Sequence, residues 1–140
     1  MSESSRTVLF VLFSVNCGGN VIATANEQTI TSPGWPGNYT SSLHCLWVIN
    51  PDSANLIGMK FTDFDVEPPS APGNSATCHK DFVIVKEDYL ETRICGDKDQ
   101  DVFKINGNRT FYATSQLELS FFTDNNDFYK GFQAIVTLGE

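Results

Sequence analysis

Apolar residues along this chain come in short runs, not in helical stripes. No stretch sustains a 3.6-residue apolar period, and Gly, Pro, Asn and Asp punctuate the runs. Leu43, Cys45, Trp47 and Ile49 alternate with His44, Leu46 and Val48 until Asn50-Pro51 ends the run, the two-residue period of a strand. Leu56 to Phe64 forms a second run, with Met59, Phe61 and Phe64 as core anchors. Asp81 to Lys86 reads as a strand carrying Phe82, Val83, Ile84 and Val85. Thr110 to Ala113 and Leu117 to Phe122 read as a hairpin pair turning on Thr114-Ser115-Gln116. Phe132 to Leu138 closes the chain, entered through a tight turn at Gly131. Many short strands at this spacing predict an all-β fold, an antiparallel sandwich of two sheets.

The connecting segments have their own chemistry. Ser32-Pro33-Gly34-Trp35-Pro36-Gly37-Asn38-Tyr39 is too rich in Pro and Gly for a central strand and reads as a fixed surface loop. Trp47 sits in an alternating strand and belongs to the core. Trp35 is either an exposed anchor for a ligand or packed against the edge of the sandwich. Pro68 to Ser75 is a long exposed excursion, and Asp124-Asn125-Asn126-Asp127 is a polar turn. None of these segments recurs, so the chain is one module without internal repeats.

Composition narrows the function. At 140 residues, 41% of them hydrophobic, the chain makes one domain with one core, much of it from eleven Phe, four Tyr and two Trp. A formal charge of -8 argues against nucleic acid, which needs clustered Lys and Arg, and fits a cation or a basic partner as well as mere solubility. Four cysteines without a CxxC make a zinc ribbon or redox motif a poor reading and point to disulfides and an extracellular, secreted setting. Asn38-Tyr39-Thr40 and Asn108-Arg109-Thr110 are glycosylation sequons, at Asn38 and Asn108, that suit the same setting. The apolar run Val8 to Phe13 is too short to cross a membrane. Residues 1–16 are either a signal-like segment or a remnant strand of a preceding module, and membrane attachment would come only through a parent protein. His44 and His79 are the only histidines, and no GxSxG, HExxH or phosphate loop occurs, so an enzyme is not expected.

Read in order, these fragments resemble a family. Cys17-Gly18-Gly19, Thr29 to Tyr39, Cys45-Leu46-Trp47, Phe61 to Glu67, Cys78-His79-Lys80-Asp81, Ile94-Cys95-Gly96, Phe122-Thr123-Asp124 and Gly131-Phe132 are together similar to a CUB domain over residues 17–138. The resemblance implies a jelly-roll-like sandwich with bridges Cys17–Cys45 and Cys78–Cys95. It also implies an extracellular protein-binding module, one of several in a larger protein of the multi-CUB, cubilin-like kind, with neighbouring CUB modules. Each bridge would contribute about 3 to 4 kcal/mol in the chain-entropy account.

The resemblance also implies a calcium site. Many CUB domains carry acids at three positions occupied here by Glu67, Asp81 and Asp124, and a supporting tyrosine occupied by Tyr39. Calcium takes several oxygen ligands, and Asn125, Asn126 or Asp127 could complete the shell, with Asn126 and Asp127 the chosen candidates. The segment between Glu67 and Cys78 is longer than the family's usual one, so it either displaces Glu67 or bulges outward. The functional expectation is calcium-dependent binding of a protein ligand through an exposed Lys or Arg, around Tyr39, Glu67 and Asp124. The alternative is a structural spacer or oligomerisation module without calcium-dependent binding. A third reading is carbohydrate binding through Trp35 and the polar loops near it.

Overall fold

The computed structural model describes residues 17–53, 55–69, 78–100, 102–124 and 129–139. Residues 1–16, most of the excursion after Pro69, and Asn125, Asn126 and Asp127 lie outside them. Ten strands are described: β1 (Gly18–Ala23), β2 (Gln28–Thr31), β3 (His44–Pro51), β4 (Leu56–Val66), β5 (Phe82–Lys86), β6 (Glu91–Ile94), β7 (Gly96–Asp97), β8 (Thr110–Ala113), β9 (Leu117–Phe122) and β10 (Gly131–Gly139). One sheet runs β1-β3-β9-β5-β6. The other runs β2-β10-β4-β7, with β8 also paired to β4. The pairs are antiparallel except β1 with β3, which is parallel.

Inward positions of both sheets meet in one aromatic core. Phe132 of β10 is fully buried, and its ring lies 5.2 Å from Phe121 of β9, 5.7 Å from Trp47 of β3 and 5.7 Å from Phe61 of β4. It therefore bridges the two sheets. Met59, Phe61 and Phe64 are all buried, although a three-residue step cannot keep one face of a regular strand. The register shift between Gln133 and Ala134 resolves this: Gln133 pairs with Asp63 and Ala134 with Phe61, so Thr62 is extra. This bulge switches the phase of β4. Ile57, Met59 and Phe61 point inward before it, Phe64 and Val66 after it.

One expected pairing is wrong. Thr110 to Ala113 and Leu117 to Phe122 are both strands, but they do not form a hairpin. β8 pairs with β4 in one sheet, and β9 lies between β3 and β5 in the other. Thr114-Ser115-Gln116 is an arch across the sandwich. Phe111 and Leu119 are both fully buried, so each strand has an apolar side turned to the shared core, from opposite sheets. A side chain from the β5–β6 turn holds the arch: Asp88 accepts from the Thr114 backbone N–H at 3.0 Å and from its hydroxyl at 2.9 Å. Next to it, Glu87 takes the Arg109 guanidinium in a two-point contact at 2.7 and 3.1 Å and accepts from the Tyr112 N–H at 2.8 Å. Arg109 also lies 4.0 Å above the Phe111 ring.

Disulfides Cys17–Cys45 and Cys78–Cys95 close 28- and 17-residue separations with Cα–Cα distances of 4.8 and 5.7 Å. The first ties the start of β1 to β3, and the second ties the segment before β5 to the end of β6.

Candidate metal centre

Three strands bring three acids to one end of the sandwich. Glu67 follows the last residue of β4, Asp81 precedes the first of β5, and Asp124 lies two residues past β9. β4 belongs to one sheet and β5 and β9 to the other, so the acids face each other across the core's end. One carboxylate oxygen from each lies within 4.8 Å of the others. Asp81 is fully buried, Glu67 nearly so, and Asp124 partly.

Tyr39 builds the floor of this cluster. It is fully buried, its ring packs edge-on to Phe121 at 5.0 Å, and its backbone N–H donates to the Tyr129 carbonyl at 3.0 Å. Its hydroxyl donates to Asp81 Oδ2 at 2.6 Å and accepts from the Glu67 N–H at 3.3 Å. The other Asp81 oxygen accepts from the Asp124 N–H at 2.7 Å. One buried carboxylate thus sets the relative position of all three segments. The loop beneath is held by Thr123, whose hydroxyl accepts from the Leu43 N–H at 2.7 Å and donates to the Thr40 carbonyl at 3.0 Å. The Ser42 N–H donates to the Asp124 carbonyl at 2.7 Å.

The electrostatics follow from burial. Loss of water pushes the Asp81 carboxyl up to about 7; bonds from Tyr39 and the Asp124 amide pull it back only partly, and the Asp124 carboxylate adds to the rise. Burial and the adjoining Asp81 raise the Tyr39 hydroxyl well above its ordinary range, so it stays a donor. Lys80 Nζ stands 3.6 Å from Glu67 Oε2. Sequence reasoning had no role for Lys80, although it directly precedes Asp81; adjacency alone does not say that it reaches Glu67. The donor set is all oxygen, carboxylate and hard, the chemistry that suits calcium or magnesium and not a soft metal.

Other sequence candidates fall elsewhere. Asn126 and Asp127 lie outside the described residues. Asn38 and Asn108 are both exposed, Asn38 beside the cluster's tyrosine and Asn108 just past the short helix Phe103–Gly107. Trp35 is half-buried, and Trp47 is core at 8% exposure. His44 is exposed and stacks on Phe122 at 4.4 Å.

The two bridged sheets with an acidic end can be set beside known proteins. The profile of the CUB domain family matches residues 17–135. The chain belongs to this family. Among curated relatives, embryonic protein UVS.2 of Xenopus laevis is 30% identical over 132 residues, covering 89% of this chain and 22% of that protein. Human cubilin is 30% identical over 132 residues, covering 89% of this chain and 3% of cubilin. Human tolloid-like protein 2 is 31% identical over 125 residues, covering 86% of this chain and 11% of that protein. This CUB domain therefore spans under a quarter of the length of the relatives it matches here and is homologous to modules of larger proteins. Among solved structures, the MASP-1 CUB2 domain bound to Ca2+ superposes with a TM-score of 0.67 at 23% identity, covering 86% of this chain and 99% of that one. The CUB1-EGF-CUB2 region of human MASP-1/3 gives 0.68 at 21%, covering 88% of this chain and 43% of that one. At such identity these neighbours speak for the fold. Family membership and two disulfides make this an extracellular module.

Proposed function

We propose that this CUB domain binds calcium between Glu67, Asp81 and Asp124 and uses the loops so fixed to bind a protein partner through its Lys or Arg side chains. The observation that carries the reading is the convergence of three carboxylates within 4.8 Å, two of them buried. Like charges so close in a dry site oppose one another, and a dication bound among them relieves that repulsion. Asn126 and Asp127, directly after Asp124, are the proposed further oxygen donors. The solved MASP-1 CUB2 domain with Ca2+ has the same fold and supports the ion's identity.

The chain's own residues do the rest. Tyr39 orients Asp81 through one short hydrogen bond, and Asp81 holds the Asp124 loop through another. The ion supplies charge that the carboxylates cannot supply to one another. Ligating carboxylates keep lone pairs able to accept from a partner's ammonium or guanidinium at the rim. Lys80, beside Glu67, opposes entry of a cation. Calorimetric titration of the folded domain with calcium is the test. Saturable binding that strengthens in Lys80→Ala and is lost in Asp124→Ala is expected, and no heat above dilution at millimolar calcium would contradict the proposal.

A further inference from the structure

We propose that Tyr89, at the tip of the β5–β6 turn, is a site of tyrosine O-sulfation, modified on the folded domain on its way out of the cell. Its side chain is 101% exposed, as open as in an extended peptide, although large aromatic rings are ordinarily well covered. Leu90 beside it is exposed as well. β5 runs from beside Asp81 to Lys86, so this turn stands at the end of the sandwich away from the acidic cluster. The proposal therefore does not depend on calcium.

The turn is built to hold this tip out. Lys86 pairs with Glu91, and the Glu87 N–H donates to the Leu90 carbonyl at 2.8 Å, which closes the loop between the two strands. Both residues before Tyr89 are tied down through their side chains. Glu87 holds Arg109 and the Tyr112 N–H, and Asp88 holds the Thr114 hydroxyl and N–H. These bonds fasten the loop to β8 and to the arch that follows it, while Tyr89 projects into solvent. A transferase reaches its hydroxyl without unfolding any element.

Charge singles out the same residue. A transferase that moves an anionic group must bind a negative donor, so its site is basic and favours a tyrosine set among carboxylates. Glu87, Asp88 and Glu91 all fall within two positions of Tyr89, with no base between them. Arg109 neutralises Glu87. Asp88 and Glu91 are exposed and carry the recognition, and Glu118 lines the same cleft as Tyr89. The other three tyrosines fail one requirement or the other. Tyr39 is fully buried against Asp81. Tyr129 is half-buried and followed by Lys130. Tyr112 lies over Gly58 in the sheet and has no acid within two positions.

The transfer needs an activated sulfate, a nucleotide phosphosulfate. The Tyr89 phenolic oxygen bonds to the sulfur, and the bond from sulfur to the bridging phosphate oxygen breaks. The nucleotide phosphate leaves with that electron pair, and the phenol proton passes to a base of the transferase. Nothing is oxidised or reduced. The aryl sulfate so formed puts a fixed negative charge at the tip, beside Asp88 and Glu91, where it can accept hydrogen bonds from a basic partner.

The test incubates the folded, disulfide-bonded chain with a purified animal tyrosine sulfotransferase and sulfur-labelled nucleotide phosphosulfate, beside an acidic tyrosine peptide that the same enzyme labels. Peptide mapping by mass spectrometry then locates the label. It is expected on the peptide carrying Tyr89 and not on those carrying Tyr39, Tyr112 or Tyr129. Tyr89→Phe should abolish it. Glu91→Gln, a change to an exposed side chain, should slow it several-fold without altering the unfolding midpoint. The chain secreted from animal cells should carry the same group on Tyr89, resistant to phosphatase. The proposal is overturned if the folded chain takes no label while the control peptide does, if the label sits on another tyrosine or persists in Tyr89→Phe, or if Glu91→Gln is labelled as fast as the parent. It is equally overturned if Tyr89 of the secreted chain is unmodified or carries a group that phosphatase removes.

Discussion

At the scale of single residues, Asp81 sets the behaviour of the acidic end. Its carboxyl is pushed up to about 7 by burial, whereas an unfolded chain would hold it near about 4. A carboxyl whose folded value is raised binds its proton more tightly when folded. Its contribution to stability is therefore fully present below about pH 4 and is lost as the pH rises through about 7. In chelator, the urea midpoint of the parent is expected to fall across that window more than the midpoint of Asp81→Asn, which carries no titrating proton there. Parallel profiles for the two proteins would contradict this. The acids were legible in the sequence because each stands just outside an apolar strand pattern and matches a family position. Lys80 was not, because no pattern says that a lysine next to Asp81 reaches Glu67. Trp35 was legible only as a choice between packing and exposure. It is half-buried in a cleft wall, which a Pro/Gly loop does not specify.

At the scale of elements, the aromatic strands were legible and their partners were not. Alternation identifies β3 and β9, but it reports one buried face per strand and not which sheet that strand joins. β8 and β9 looked like a hairpin for that reason. The deciding contacts, Glu87 with Arg109 and Asp88 with Thr114, join residues far apart in sequence. Arg109→Ala is expected to lower stability by about 1 to 3 kcal/mol, because Glu87 would be left largely buried without its cation. Equilibrium urea unfolding measures this, and an unchanged midpoint would show the clasp to be dispensable. The spacing of Phe61 and Phe64 was likewise read correctly as core, while the bulge that allows it was invisible, since it shows only in the register with β10. Phe132 lies where the sheets meet. Phe132→Ala should cost about 3 to 5 kcal/mol, seen as a lower denaturant midpoint with unchanged slope. Gly131 before it has φ +97, and a Cβ there would overlap the Ser32 hydroxyl, so the turn into β10 accepts no larger residue without rearrangement.

At the scale of the whole molecule, two disulfides and one aromatic core hold a CUB sandwich with an acidic end where β4, β5 and β9 meet their loops. Both bridges fall near the acidic end, Cys78 shortly before Asp81 and Cys45 paired with Phe121 shortly before Asp124, and hydrogen bonds around Asp81 join the acidic segments to one another. Hydrogen bonds of this kind predict an end that calcium can tighten without remaking the core. A ligand that binds only the folded state stabilises it by about 2.7 kcal/mol at a hundredfold excess over Kd. Asp124 contributes its backbone N–H and carbonyl to the loop whatever its side chain, so Asp124→Ala should keep the calcium-free fold. The direct measurement is thermal unfolding of the parent and of Asp124→Ala, each in excess calcium and in chelator. The expected result is a higher Tm with calcium in the parent, little or no gain in Asp124→Ala, and cooperative unfolding of both in chelator. An equal calcium-induced rise in both proteins, or none in the parent, would contradict the assignment of this end as a calcium site.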